Sequence, residues 1–191
     1  MELNKELTAQ DSLRVITETL NNNRRALLRN GAKYFLLWGA VLTVFSLVIY
    51  ALWHSTGKPA WNMLWFAMPL VGYPLAAILR KQDTVVPKNI LGTLIGQTWA
   101  LYGVFAIVIS AIAVFFVPMH ITLIIVVLMG FAEAVSGLLL KNWPILVAGI
   151  LLGIGGAVAA MLLKTEAQLL LFTFGGILLM VTGAIVNRQY K

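Results

Sequence analysis

The chain contains no cysteine. Disulfides, thiolate metal sites and cysteine nucleophiles are therefore excluded. Charge is scarce as well. Only 11% of the 191 residues are Asp, Glu, Lys or Arg, against about a quarter in an average soluble domain. Carboxylates are the scarcer sign, with 7 Asp and Glu against 14 Lys and Arg. Histidine occurs twice, as His54 and His120. Two histidines without carboxylate or thiolate company do not make a metal site. There is no HExxH helix, Walker-type glycine loop or Ser/His/Asp set. Gly153, Gly155 and Gly156 imitate part of a dinucleotide fingerprint, but inside an apolar run. No catalytic residue, metal or cofactor is expected.

Hydrocarbon dominates instead. Hydrophobic residues make up 60% of the chain and the mean hydropathy is +0.89, which places it in the membrane class. Six runs reach the ~20 apolar residues that a bilayer crossing needs. They lie near 33–53, 61–80, 97–117, 119–140, 143–163 and 167–187. Before them the chain is polar and charged, without the apolar region and cleavage site of a secretory signal. The first run is expected to act as an uncleaved signal. The linkers after the third, fourth and fifth runs are very short, so successive helices there are antiparallel neighbours. The expected fold is an all-α integral membrane bundle of six transmembrane helices in three tandem hairpins. Its parts are a cytoplasmic amphipathic helix (1–32), the membrane domain (33–187) and a cytoplasmic tail (188–191).

The basic residues set topology. With the N-terminus in the cytoplasm, only Lys58 and Lys164 of the 14 Lys and Arg fall on outer segments. This positive-inside bias predicts a bacterial inner-membrane protein with both termini cytoplasmic. The net charge of +7 thus reads as topology, and no direct nucleic-acid binding is expected. Trp53, Trp61, Trp65, Trp99 and Trp143 are expected at interfaces.

An internal repeat supports the hairpins. "GFAEAVSG" at 130–137 matches "GILLMVTG" at 176–183, and the same offset carries Gly103 onto Gly149. "LLWGAVLTVFS" at 36–46 resembles "ALYGVFAIVIS" at 100–110. Small residues allow close helix approach in membranes. Gly92, Gly96 and Ala100 share one helix face, as do Gly149, Gly153 and Ala157. These, with Gly130 and Gly137, are expected to pack helices within the bundle or in a homo-oligomer. Pro69 and Pro74 are expected to kink the second span.

Ahead of the first run, Thr8 and Asp11 stand in capping-box relation. Leu13, Ile16, Leu20 and Leu27 then fall on one helical face, and a helix end is expected near Asn30–Gly31. Lipid, the protein's own cytoplasmic loops, the same helix of another subunit or a cytoplasmic protein partner would cover that face. "SLRVITETL", a basic stretch and then "FLLWG" resemble the start of an uncharacterised group of small bacterial multi-pass inner-membrane proteins, over the chain up to Gly39. Members of that group are often encoded beside winged-helix regulators. The resemblance implies a signalling or stress context and transfers no catalytic motif.

One carboxylate breaks the pattern. Glu133 lies inside the fourth run, where a charge costs about 2.5–3.5 kcal/mol on insertion scales. Lys141 is ~12 Å further along a helix, so the carboxylate cannot readily reach the interface. Glu133 is expected to face the interior, either carrying a proton or lining a wet cavity. Thr43, Tyr73, Tyr102 and Thr182 fall at matching depth and could hydrogen-bond it. The composition favours a non-enzymatic regulatory or interaction protein acting through the N-terminal helix and the 81–90 loop. The alternative is a small transporter or channel that uses Glu133, proton-coupled or for an apolar substrate.

Overall fold

A computed structural model describes residues 8–81 and 90–190. The described residues are helical, with no strand. Six helices are long and apolar enough to cross a membrane. The first is α1 (Ala9–Thr56). A nine-residue 3-10 segment (Pro59–Ala67) leads into α2 (Met68–Arg80), and the two form the second span. The third and fourth are α3 (Ile90–Phe115) and α4 (Ile121–Leu140). The fifth is α5 (Trp143–Ile150), a π turn (Leu151–Gly155) and α6 (Gly156–Leu162). The last is α7 (Leu169–Gln189). Most of the 81–90 loop lies outside the described residues.

Local chemistry explains several boundaries. Thr8 caps α1 as the sequence predicts: its Oγ1 accepts from the Asp11 N–H at 3.2 Å and donates to Asp11 Oδ2 at 2.7 Å. Gly57, at φ 67, closes the same helix. Lys141 ends α4 in the left-handed region, at φ 51. Asn142 then caps α5 by accepting from the Ile145 N–H at 3.2 Å. Three glycines within four residues ease the widened π turn.

The expected helix end at Asn30–Gly31 is not there. α1 runs through it without a break for 48 residues. A helical glycine costs about 1 kcal/mol relative to alanine. That is less than is gained by burying Leu28 and Ala32, on either side of it, against α4, α5 and α7. The amphipathic segment is therefore an unbroken continuation of the first span. Its leading stripe is uncovered: Leu13, Ile16 and Leu20 are exposed, and only Leu27 packs on the Leu140/Ile145/Val186 cluster. Pro69 sits in the first turn of α2, where its missing N–H has no intrahelical partner to lose. Pro74 alone is interior to that helix.

Two seams hold the bundle. In the first, α1 lies on α7. A methyl on Gly176 would strike the Gly39 carbonyl and Thr43, and one on Gly183 would strike the Ala32 carbonyl. In the second, α4 lies on the fifth span. Gly130 faces the Gly149 and Gly153 backbone, Gly137 faces Leu146, and Gly156 faces Val126. Leu42, Val126, Met129, Leu152, Phe172 and Leu179 join the two seams in one apolar cluster. α3 packs on α4, and α2 on α1 through the Trp38 ring over Gly72. No comparable interface joins α2 to α3. The packing within the bundle expected of Gly96 does not occur there. Gly96 and Gly103 have no neighbour within reach of an added Cβ, because α2 stands away from that face.

The seams make a contrast that unfolding can measure. Gly149→Ala forces a methyl into the Ala134 backbone and should cost about 1–3 kcal/mol, as overpacking does. Gly96→Ala meets nothing and should be neutral or stabilising by up to about 1 kcal/mol. Thermal or SDS-induced unfolding of the purified protein checks both. Equal effects would mean that the seams are not tighter than the α3 face.

Candidate functional site

The missing α2–α3 interface leaves a cleft of about 1960 Å³. It runs the depth of the bundle, from Asn30 and Arg80 at one end to His120 and Gln168 at the other. α1 supplies Phe35, Trp38 and Leu42 to its wall, the second span Trp65 and Tyr73, and α3 Trp99 and Tyr102. Aromatic rings organise this wall. Trp38 meets Tyr73 edge-on with centroids 5.4 Å apart. Trp99 meets Tyr102 edge-on at 5.7 Å, and Trp65 packs on Phe172 at 5.1 Å.

The Trp99 indole is engaged with α4. α3 begins at Ile90, before the expected start near 97, so Trp99 lies well inside the helix. Its Nε1–H donates to Ser136 Oγ at 3.1 Å, and the Ser136 hydroxyl donates to the Ala132 carbonyl at 2.8 Å. This contact ties α3 to α4 at the back of the cleft. Trp65 likewise packs on the core cluster.

Glu133 is on the same α4 face. Residues three and four apart on a helix are neighbours. Met129, Ser136 and Leu140 all line the cleft, and Glu133 stands in the middle of their stripe. It is 0% exposed, one layer behind the wall. Along α4 it falls between Met129 of the larger apolar cluster and Leu140 of the smaller one. On α7, buried Thr182 likewise falls between Leu179 and Val186 of those clusters. Glu133, Ser136 and Thr182 thus make a polar layer between two apolar ones.

The interior position of Glu133 agrees with the sequence reading, but the hydrogen bonds expected for it do not form. Neither Oε1 nor Oε2 has a partner among the described residues. The Thr43 hydroxyl donates to the Gly39 carbonyl at 2.8 Å. Tyr73 is exposed against Trp38, and Tyr102 packs on Trp99. These side chains share a depth with Glu133 without bonding to it, because depth fixes neither helix rotation nor neighbour order. Away from the cleft, His54 Nδ1 lies 3.2 Å from Glu166 Oε1 on an exposed surface, where such pairs contribute little. No group of three or more His, Cys, Asp or Glu that could hold a metal ion occurs among the described residues.

Compared with protein-family models, curated proteins and solved structures, the chain matches none.

An unpartnered carboxyl has a distinctive mutational signature. Glu133→Leu removes a buried polar group and keeps much of its volume, so it should leave stability unchanged or raised. Ser136→Ala strips Trp99 of its acceptor and should cost about 0.5–1.5 kcal/mol. Unfolding measurements on both variants check this. A loss above about 2 kcal/mol for Glu133→Leu would mean that the carboxyl has a partner.

Proposed function

We propose that this protein is a small multi-pass membrane protein that takes a lipid-like amphiphile into the cleft between α2 and α3, and moves or presents it across the bilayer. The single observation that carries this reading is the cleft itself: apolar, aromatic, as deep as the bundle and open along a whole seam. A polar solute would need several intramembrane polar groups, whereas an amphiphile needs an apolar channel with wet ends. Asn30 and Arg80 at one end, and His120 and Gln168 at the other, provide those ends. The reading requires no catalysis and no cofactor.

On this reading the protein sits in a bacterial inner membrane, with both termini in the cytoplasm and three tandem hairpins. The charge asymmetry supports the topology. Repeat-related glycines support the hairpins: Gly39 meets Gly176, and Gly149 meets Gly130, each across a seam between hairpins. The corresponding place on α3 is Gly103, which lines the cleft. The cleft is then the third seam of a threefold pattern, left open.

A second reading, a regulatory role through the N-terminal helix, is favoured by the exposed Leu13/Ile16/Leu20 stripe. α1 continues without a break from the first span, and on this reading the stripe leaves the bilayer with it and suits a protein partner better than a lipid surface.

Native mass spectrometry of protein released gently from membranes tests the cleft. The wild type should retain an amphiphile. Gly96→Phe/Gly103→Phe, which fills the cleft without touching either tight seam, should lose it and still fold. Wild-type protein free of any amphiphile, or equal retention by the variant, would contradict the reading.

A further inference from the structure

Three features of the cleft point to the same chemistry. Its wall is built from Trp38, Trp65, Trp99 and Tyr102, whose ring faces attract cations. Glu133 lies at the centre of the Met129–Ser136–Leu140 stripe that lines it, fully buried and with both oxygens unpartnered. No other carboxylate lies on α2 to α7, and those of α1, Asp11 and Glu18, lie on its leading segment. The fifth span from Trp143 to Leu162, and α7 from Leu169 to Val186, contain no Asp, Glu, His, Lys, Arg or Tyr. The titratable groups on the other elements are Tyr102 of α3, Tyr73 and Arg80 of α2, and Arg24, Lys33 and Tyr34 among those of α1. Of the five Lys and Arg of α1, Arg24 and Lys33 are engaged with helix ends: Arg24 Nε donates to the Leu139 carbonyl at 3.1 Å and Lys33 Nζ to the Leu79 carbonyl at 2.9 Å. Neither is placed to neutralise Glu133.

We propose that the cleft selects an amphiphilic cation, with buried Glu133 of the adjoining α4 face as its counter-charge. The inference rests on the cleft-binding reading and names its substrate class. In the empty protein the carboxyl holds its proton, since an unpaired carboxylate in this apolar layer would be strongly penalised. Entry of the cation displaces that proton. The Glu133 O–H bond breaks, the proton leaves to water through the cleft, and the carboxylate pairs with the incoming positive charge. The site stays neutral throughout. Trp99 and Ser136 line the cleft and hydrogen-bond each other, while Glu133 beside Ser136 on α4 is fully buried, so side chains of the lining must shift for the pair to form.

Tetraphenylphosphonium and neutral triphenylphosphine oxide are suitable probes, titrated into the purified full chain in weakly buffered detergent. Tryptophan fluorescence reports binding and a pH electrode reports protons. The wild type should bind both probes and release about one proton per bound cation, with none released for the neutral compound. Glu133→Gln should bind the cation at least about tenfold more weakly and release no proton. It should bind the neutral probe as before, which also shows that the variant folds. Equal cation binding by wild type and Glu133→Gln, or binding without proton release, would overturn the cation assignment and leave the cleft reading intact. Failure of both probes to bind the wild type would overturn the cleft reading with it.

Discussion

Backbone-to-backbone approach at glycine is the contact on which the bundle depends. Lipid tails are as apolar as leucine, so burial gives membrane helices little reason to associate. Close packing must do it instead. Gly39, Gly176 and Gly183 bring α1 onto α7, and Gly130, Gly149 and Gly153 bring α4 onto the fifth span. The cluster of Leu42, Met129, Leu152, Phe172 and Leu179 then binds the two pairs together. α2 and α3 are attached to opposite edges of this four-span core. Gly72 is the only buried residue of α2, and Leu91 the only one of α3. Two spans held by one side each, with no interface between them, leave the cleft open.

Glu133 acquires its character from the same arrangement. The close α4–α5 seam fixes the rotation of α4, because Gly130 and Gly137 must face the fifth span. That rotation carries Met129, Ser136 and Leu140 to the cleft and Glu133 to the layer just behind it. A carboxyl left without partners stabilises nothing. Its presence in an otherwise uncharged interior is better explained by a ligand than by the fold. The repeat leads to the same view, since the position equivalent to Glu133 in the last hairpin is Leu179, a core residue.

Much of this was legible in the sequence, and the rest failed for identifiable reasons. Six apolar runs gave six spanning helices, Thr8 and Asp11 gave the α1 cap, and the isolated acid in the fourth run pointed inward. These features depend on composition and on spacing within one helix. The continuity of α1 was hidden because Asn30–Gly31 is a local stop signal, overridden by burial of Leu28 and Ala32 against helices distant in sequence. Gly96 of α3 reads like Gly149 and Gly153 of the fifth span, yet only the latter meet a neighbouring helix. A small residue permits close approach without supplying the neighbour. α3 starts earlier than its hydropathy suggests, and the Trp99–Ser136 bond needs knowledge of which helices adjoin. The cleft left no signal of its own, being the absence of a contact.

The most direct test of the account is whether the seam between α2 and α3 is open to lipid while the α1–α7 seam is closed. The chain lacks cysteine, so single cysteines report cleanly. Ser46→Cys places a near-isosteric thiol at a fully buried position of α1 that faces Thr173 of α7. Gly96→Cys places one on the exposed α3 face. With a lipid-soluble maleimide in native membranes, the account predicts rapid modification of Gly96→Cys and protection of Ser46→Cys. Equal protection of the two would show that α2 closes on α3, and would contradict the open cleft.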